Sequence, residues 1–410
     1  MPAIESPRAE TFRPFLRRVR IVNYRSLGKC DLELRSLSVL VGRNGAGKSN
    51  VLDALRFVSD SLEGSLDHAI KARGGIDNVR RRSTGHPRNF GIALDFHLPG
   101  WLSATYGFEI AARSAGGFAV KHERLVVSSI DREVARFERR DGRIEATDGM
   151  PPVLEDRLYL VNAAGRPEFR PAYDALRAMG FYNLNPEVIK ELQSPDAGDL
   201  LERDGGNLAS VVGRLTAERP KDLERVREYL RTIVPGITDV ERMTLGPRET
   251  LLFHQEVQGA THPWKFYAAS MSDGTLRALG ALVAVAQVVG AQEPPRLVGI
   301  EEPETALHPA AAGALMDALR EATPRTQVLV TSHSADLLNQ VNEKEDGLFV
   351  VESRGGTTHV ARADAASRKA IESHLFRPGE LLQLDQLQLD EEDLVRQEQM
   401  TLFEEPVEAR

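Results

Sequence analysis

The segment Gly42-Arg43-Asn44-Gly45-Ala46-Gly47-Lys48-Ser49 fits the pattern G-x-x-x-x-G-K-[ST] at every fixed position. Glycines at 42, 45 and 47 let successive backbone N–H groups curl around anionic oxygens, and the helix that follows adds its partial positive charge. Lys48 reaches the β- and γ-phosphates of a nucleotide in such a loop, Ser49 holds Mg2+, and Asn50 completes the turn. Three later segments carry groups that this chemistry needs. Ile300-Glu301-Glu302-Pro303-Glu304 closes the apolar run Leu297 to Ile300 with consecutive carboxylates. Glu301 anchors Mg2+ with one methylene more than an aspartate, and Glu302 polarises the attacking water. Thr331-Ser332-His333-Ser334 follows the apolar strand Gln327 to Val330, and Ser272-Asp273-Gly274-Thr275 opens the apolar stretch Leu276 to Val289. Alone, S-x-G is a helix cap and a single histidine is structural; their order around the double-glutamate strand gives them functional weight.

These groups need a scaffold. Leu37 to Val41 reads as a buried strand entering the loop, and Ser49 to Leu62 as a helix leaving it, with Val51, Leu55, Val58 and Leu62 on one face. Pro303 stops the carboxylate strand, and Pro309 opens a helix. Arg17 to Tyr24 and Lys29 to Leu34 alternate apolar and polar residues, as an antiparallel pair flanking the loop strand would. Strands are expected at Phe90 to Phe96, Tyr106 to Ala111, Phe118 to Val127 and Val134 to Arg139, and helices at Asp199 to Thr216 and Lys221 to Ile233. Arg242 to Trp264 returns to strand character, and Gly347 to Glu352 pairs with Thr357 to Ala361. The expected division is a core from residues 1–62 and 262–365, a β-rich lobe over 63–170, a helical lobe with return strands over 171–261, and an acidic tail over 366–410.

The four motifs together resemble those of ABC-type AAA family ATPases in the RecF, SMC and OLD-like branch. Asp273 before Gly274, the segment Asn23-Tyr24-Arg25-Ser26, and Glu302-Pro303-Glu304 with Leu307-His308-Pro309 carry the resemblance, over roughly residues 15–62 and 262–355. It implies an α/β P-loop NTPase head with a β-rich lobe and a helical insertion; no sustained heptad pattern predicts a long coiled coil. It also implies ATP and Mg2+ as ligands and head-to-head pairing of two copies on ATP. In that arrangement Ser272, Asp273 and Gly274 of one copy face the γ-phosphate held by the other, and His333 contacts the same phosphate. His308 stands where transporter relatives carry aspartate. The Q-loop glutamine has no candidate before Gln193, so Asp77 or Asn78 is the substitute. OLD-like relatives append a nuclease domain, for which the residues after the last strand are too few.

Charge narrows the partners. Residues 1–90 hold 17 Lys and Arg against nine Asp and Glu, whereas residues 380–410 hold ten acids against two arginines. Arg80-Arg81-Arg82 with Arg88 is a candidate contact for a double-stranded DNA backbone, or a solvated loop. Asp390-Glu391-Glu392-Asp393 reads as a solvated run in a disordered or partner-docking tail. DNA repair or defence against foreign DNA is one expectation, regulation of a separately encoded nuclease or toxin a second, and a transporter ATPase a weaker third. The single cysteine, Cys30, lies on the apolar face with Leu32 and Leu34 and reads as core. It fits a reducing cytoplasm. Neither a signal peptide nor a run of the roughly 20 apolar residues a membrane span needs is visible.

Overall fold

Alternation of side chains decides how the central layer is built. The computed structural model describes residues 13–82, 87–130, 132–146, 156–287 and 295–403. Its strands in chain order are β1 (Leu16–Tyr24), β2 (Leu27–Glu33), β3 (Leu37–Val41), β4 (Asn89–Leu98), β5 (Leu102–Ala112), β6 (Phe118–Ser128), β7 (Glu133–Arg140) and β8 (Arg143–Ala146). They continue as β9 (Gly180–Tyr182), β10 (Ile237–Leu245), β11 (Arg248–Gln255), β12 (Trp264–Tyr267), β13 (Leu297–Glu301), β14 (Gln327–Ser332), β15 (Gly347–Arg354) and β16 (Thr357–Arg362). Thirteen of them form one sheet in the order β8-β7-β6-β5-β4-β1-β2-β16-β15-β3-β14-β13-β9, and β10-β11-β12 form a second.

Strands β15, β3, β14, β13 and β9 run parallel, buried on both faces. Within β14, Leu329 packs into one core, while Val328 and Val330 pack into the other. The first core receives the phosphate-loop helix Lys48–Glu63 and the helix Arg170–Arg177. The second receives the helices Leu208–Glu218, Pro220–Ile233, Asp273–Ala286 and Ala312–Ala322. The antiparallel half, β1, β2 and β4 to β8, continues the same sheet and carries the expected strands between 89 and 140.

Inside that half, Glu123 on β6 is fully buried. Its carboxylate accepts from the Tyr106 hydroxyl at 3.0 Å and from the backbone N–H groups of Tyr159 and Leu160 at 2.5 and 2.9 Å. The carboxylate thereby caps the helix Tyr159–Ala163 and fixes it to the sheet.

Three expectations change. The β1–β2 hairpin does not flank β3, because β16 and β15 lie between; the chain returns after β14 to fill that place. Residues 199–207 are a loop, and the helix starts at Leu208. The acidic tail, through residue 403, is folded onto the core. Leu381, Leu387 and Leu389 are buried, and Arg354, Arg362 and Arg368 pair with Glu391, Asp393 and Asp390 at 2.7, 2.9 and 2.9 Å. Gln397 donates to Val360 O at 2.8 Å, and the Phe403 ring lies 3.7 Å from that of His122 on β6. Charge that looked unpartnered along the sequence meets arginines from strands laid beside it. No helix among the described residues is long and apolar enough to cross a membrane.

Candidate functional site

A ligand site belongs where parallel strands end at their carboxyl termini, because loops there are free to carry function. β3 ends there in the phosphate loop, β13 in Glu301-Glu302, and β14 in Ser332-His333. Register brings them level: Glu301 lies opposite Thr331, and Ser332 opposite Val41.

Within the loop, Arg43, Asn44, Gly45 and Ser49 are exposed, while Ala46 and Lys48 are buried. Gly47 has φ 103°, and a Cβ there would lie 2.1 Å from Thr358 Oγ1. That hydroxyl donates to Ala46 O at 2.8 Å and pairs with Ser26 Oγ at 2.7 Å; Asn50 Nδ2 donates to Ser26 Oγ at 2.6 Å. Asn50 therefore ties the loop helix to the turn between β1 and β2.

The segment Asn23-Tyr24-Arg25-Ser26 is the other half of this clamp. Tyr24 donates to Asp53 Oδ2 at 2.7 Å, Arg25 pairs with Asp53 at 2.9 Å, and Arg73 pairs with it at 3.0 Å. Burial alone would raise the Asp53 carboxyl; Arg73, the Tyr24 hydroxyl and Arg25 outweigh it and hold it below its ordinary value. The motif thus locks the helix that presents the loop.

The Lys48 side chain is only 4% exposed; its ammonium donates to Gly42 O at 2.9 Å and Arg43 O at 3.3 Å. It lies 3.5 Å from Glu302 Oε1, and His333 Nδ1 lies 3.3 Å from that same oxygen. One carboxylate therefore joins the three groups that the sequence assigned to catalysis. Glu302 sits at φ 43°, a left-handed conformation costly for a side chain of this type, held by its N–H to Thr331 O at 3.0 Å. That bend turns the Glu302 side chain out of the strand toward the loop.

Glu304 is almost buried and accepts from Ser332 Oγ at 2.6 Å; Ser332 Oγ in turn accepts from Ser334 N at 3.0 Å. Burial raises the Glu304 carboxyl above its ordinary value. This chain of bonds braces the backbone on both sides of His333.

Glu301 and Ser49, the side chains expected to hold Mg2+, stand at the end of β13 and in the first turn of the phosphate-loop helix. Among the described residues no group of three or more His, Cys, Asp or Glu could hold a metal unaided. A hydroxyl and a carboxylate are hard oxygen donors of the kind Mg2+ takes, the rest of its shell coming from water and phosphate. Arg203 Nη2 stands 3.3 Å from Glu301 Oε1. No sequence motif announced it, since it comes from a loop about 100 positions away.

The signature residues have partners of their own. Ser272 caps the helix Asp273–Ala286 by accepting from Thr275 N at 3.2 Å, and Asp273 pairs with Lys190 at 2.6 Å. At Gly274 a Cβ would lie 2.2 Å from Ala306 O, so a glycine is required by the chain's own packing. Asp77 pairs with Arg80 at 2.7 Å, and Asn78 donates to Gly74 O and accepts from Arg82, so both Q-loop substitutes are engaged locally. Arg81 donates to Thr357 Oγ1 at 2.5 Å. The arginine cluster is thus largely committed to its own loop, with Arg82 and Arg88 exposed.

Known proteins resemble parts of this chain. Residues 156–339 match the family described as "AAA domain, putative AbiEii toxin, Type IV TA system", and residues 15–98 match "AAA ATPase domain". The DNA replication and repair proteins RecF of Brucella abortus (strain 2308) and Brucella melitensis biotype 1 are each 30% identical over 117 residues, 28% of this chain and 28% of theirs. The chain thus matches under a third of the length of these curated relatives. The SmcHead bound to the C-winged helix domain of ScpA superposes with TM-score 0.53 at 16% identity, over 87% of this chain and 100% of that one. An Smc head domain with an extended coiled coil, bound to the C-terminal domain of ScpA and derived from Pyrococcus furiosus, gives 0.52 at 13% identity, over 88% and 99%. The fold is that of an SMC head, and no coiled coil occurs among the described residues. The paired AAA matches and the RecF similarity, on an SMC-head fold, support a chain similar to the ABC-type ATPases of the RecF/SMC-like kind.

Proposed function

We propose that this chain hydrolyses ATP at a site completed by a second copy of itself. The observation that carries the reading is the convergence of Lys48 and His333 on the Glu302 carboxylate at the ends of β3, β13 and β14. A buried ammonium held by two carbonyls of its own loop, with Glu302 at 3.5 Å, is set up to neutralise polyphosphate. When ATP enters, Lys48 and the loop amides bind its phosphates, and Glu302 is released from Lys48 to accept a proton from, or orient, the in-line water. His333, beside the same carboxylate oxygen, donates toward the γ-phosphate in this reading. Bound Mg2+ would neutralise charge on the β- and γ-oxygens, held by Ser49 and Glu301.

The exposed flank of Ser272 and Asp273, whose side chains bond to Thr275 and Lys190, favours their use across a dimer. ATP then acts as the link between two heads, and its hydrolysis separates them. A chain with Ser272→Arg should bind ATP as a monomer without pairing; ATP-driven pairing of that variant to the wild-type extent contradicts the composite site.

The work coupled to this cycle is DNA repair or defence, by the similarity to RecF. A second reading is regulation of a separate effector, which the toxin wording of the matched family favours. Stimulation of ATP turnover by duplex DNA supports the first. Turnover indifferent to DNA, together with a stoichiometric protein partner, supports the second.

A further inference from the structure

Residues 196–207 form no helix or strand, yet nearly every turn is pinned. Asn207, itself buried, donates to Asp196 Oδ2 at 2.8 Å and to Leu200 O at 2.9 Å, and accepts from Glu202 N at 2.8 Å. Asp196 Oδ1 accepts from Gly198 N at 2.7 Å. The far end of the loop is tied to the chain leaving β9: Asn183 N donates to Arg203 O and Asn185 N to Asp204 O, both at 2.9 Å, and Gln193 Nε2 donates to Gly205 O at 3.0 Å. β9 pairs directly with β13. The backbone of residue 203 is thereby fixed beside the end of the strand that carries Glu301, and the guanidinium closes on Glu301 Oε1 at 3.3 Å.

A guanidinium and a divalent cation cannot share one carboxylate oxygen without strong mutual repulsion. Resting on the nucleotide-site reading above, we infer that Arg203 and Mg2+ are alternative partners of Glu301. Without nucleotide, Arg203 satisfies the carboxylate; Mg2+-ATP takes its place, and the displaced guanidinium stays at the mouth of a polyphosphate site. The glutamate at position 301 suits this exchange, because its extra methylene lets one carboxylate serve two positions. Arg203 is then a positioning residue that sets how much Mg2+ the site needs.

Binding of a fluorescent ATP analogue to the full chain, titrated with Mg2+ at fixed nucleotide, tests this. The pair is partly exposed, 43% for the Arg203 side chain and 18% for that of Glu301. Arg203→Ala should therefore lower the Mg2+ midpoint about two- to fivefold, and Arg203→Lys should stay near wild type. The loop is held through backbone and Asn207 contacts, so the alanine variant should fold; Arg203→Gln serves as a second variant and should shift the midpoint in the same direction. In a Glu301→Gln background the change at Arg203 should have no effect on the midpoint. An unchanged midpoint in Arg203→Ala and Arg203→Gln, or an equal shift in the Glu301→Gln background, overturns the exchange while leaving the ATP site standing. Failure of the wild-type chain to bind the analogue at any Mg2+ concentration overturns both.

Discussion

Gly45 and Gly47 belong to the same motif and both have positive φ, 79° and 103°, yet the structure assigns them different costs. A Cβ at Gly45 meets nothing within 4 Å. Gly45→Ala should therefore cost only the left-handed backbone of an L-residue, about 1–2 kcal/mol. A Cβ at Gly47 would stand 2.1 Å from Thr358 Oγ1, 2.9 Å from its Cγ2 and 3.0 Å from its Cβ. Thr358 cannot rotate away without breaking its bonds to Ala46 O and Ser26, each worth about 1 kcal/mol. Gly47→Ala should then cost about 3–4 kcal/mol, roughly 2 more than Gly45→Ala. Thr358→Ala should partly rescue Gly47→Ala but not Gly45→Ala, so a double-mutant cycle by urea unfolding would show coupling for one pair alone. Equal destabilisation by the two alanines, or equal coupling to Thr358, refutes the clamp between β16 and the loop.

Acid should act through Asp53: its carboxyl is held below the ordinary value near 3.8, so its contribution is present above about pH 4 and lost as pH falls through the folded value. Asp53→Asn should remove that acid limb and cost about 1–3 kcal/mol at neutral pH, because Tyr24, Arg25 and Arg73 lose a charged partner while Arg73, 3% exposed, keeps Asp60 at 2.9 Å. Glu123 has the opposite sign, since burial pushes its carboxyl from 4.5 up to about 7. Its favourable contribution is full below about pH 4.5, declines as pH rises to 7 and is flat above, and Glu123→Gln should flatten unfolding free energy across that window. Removing residues 390–410 should cost roughly 3–4 kcal/mol, from three partly exposed ion pairs and the hydrogen bonds of Gln397, read by the urea midpoint.

The phosphate loop, its strand and helix, and the acidic strand end were legible because local pattern and chemistry coincide there: Lys48, Glu302 and His333 each follow an apolar strand at its carboxyl end. Arg203 was not, because what places it is a web of Asn207, Asp196 and backbone bonds with no periodicity. The tail misled for a related reason. Asp390, Glu391 and Asp393 form a charge run along the chain, and only the strand pairing of β15 with β16 brings Arg354 and Arg362 beside them. The β1–β2 hairpin was recognisable by alternation, but its neighbours depend on where a strand some 330 residues later returns. Asn23-Tyr24-Arg25-Ser26 could be matched as a motif, while its task became visible only with Asp53 and Asn50 beside it.

The central claim is that Glu302 serves the attacking water at an ATP site built across two copies. Replacing Glu302 by glutamine keeps the size and much of the hydrogen bonding of the side chain while removing the charge that faces Lys48 and His333. Size-exclusion chromatography of Glu302→Gln with Mg2+-ATP, followed by measurement of the nucleotide retained, tests the claim most directly. The account predicts a dimer holding unhydrolysed ATP at nearly one per chain, with Lys48→Ala binding none. A Glu302→Gln protein that turns over ATP at the wild-type rate, or that retains ATP as a monomer, contradicts it.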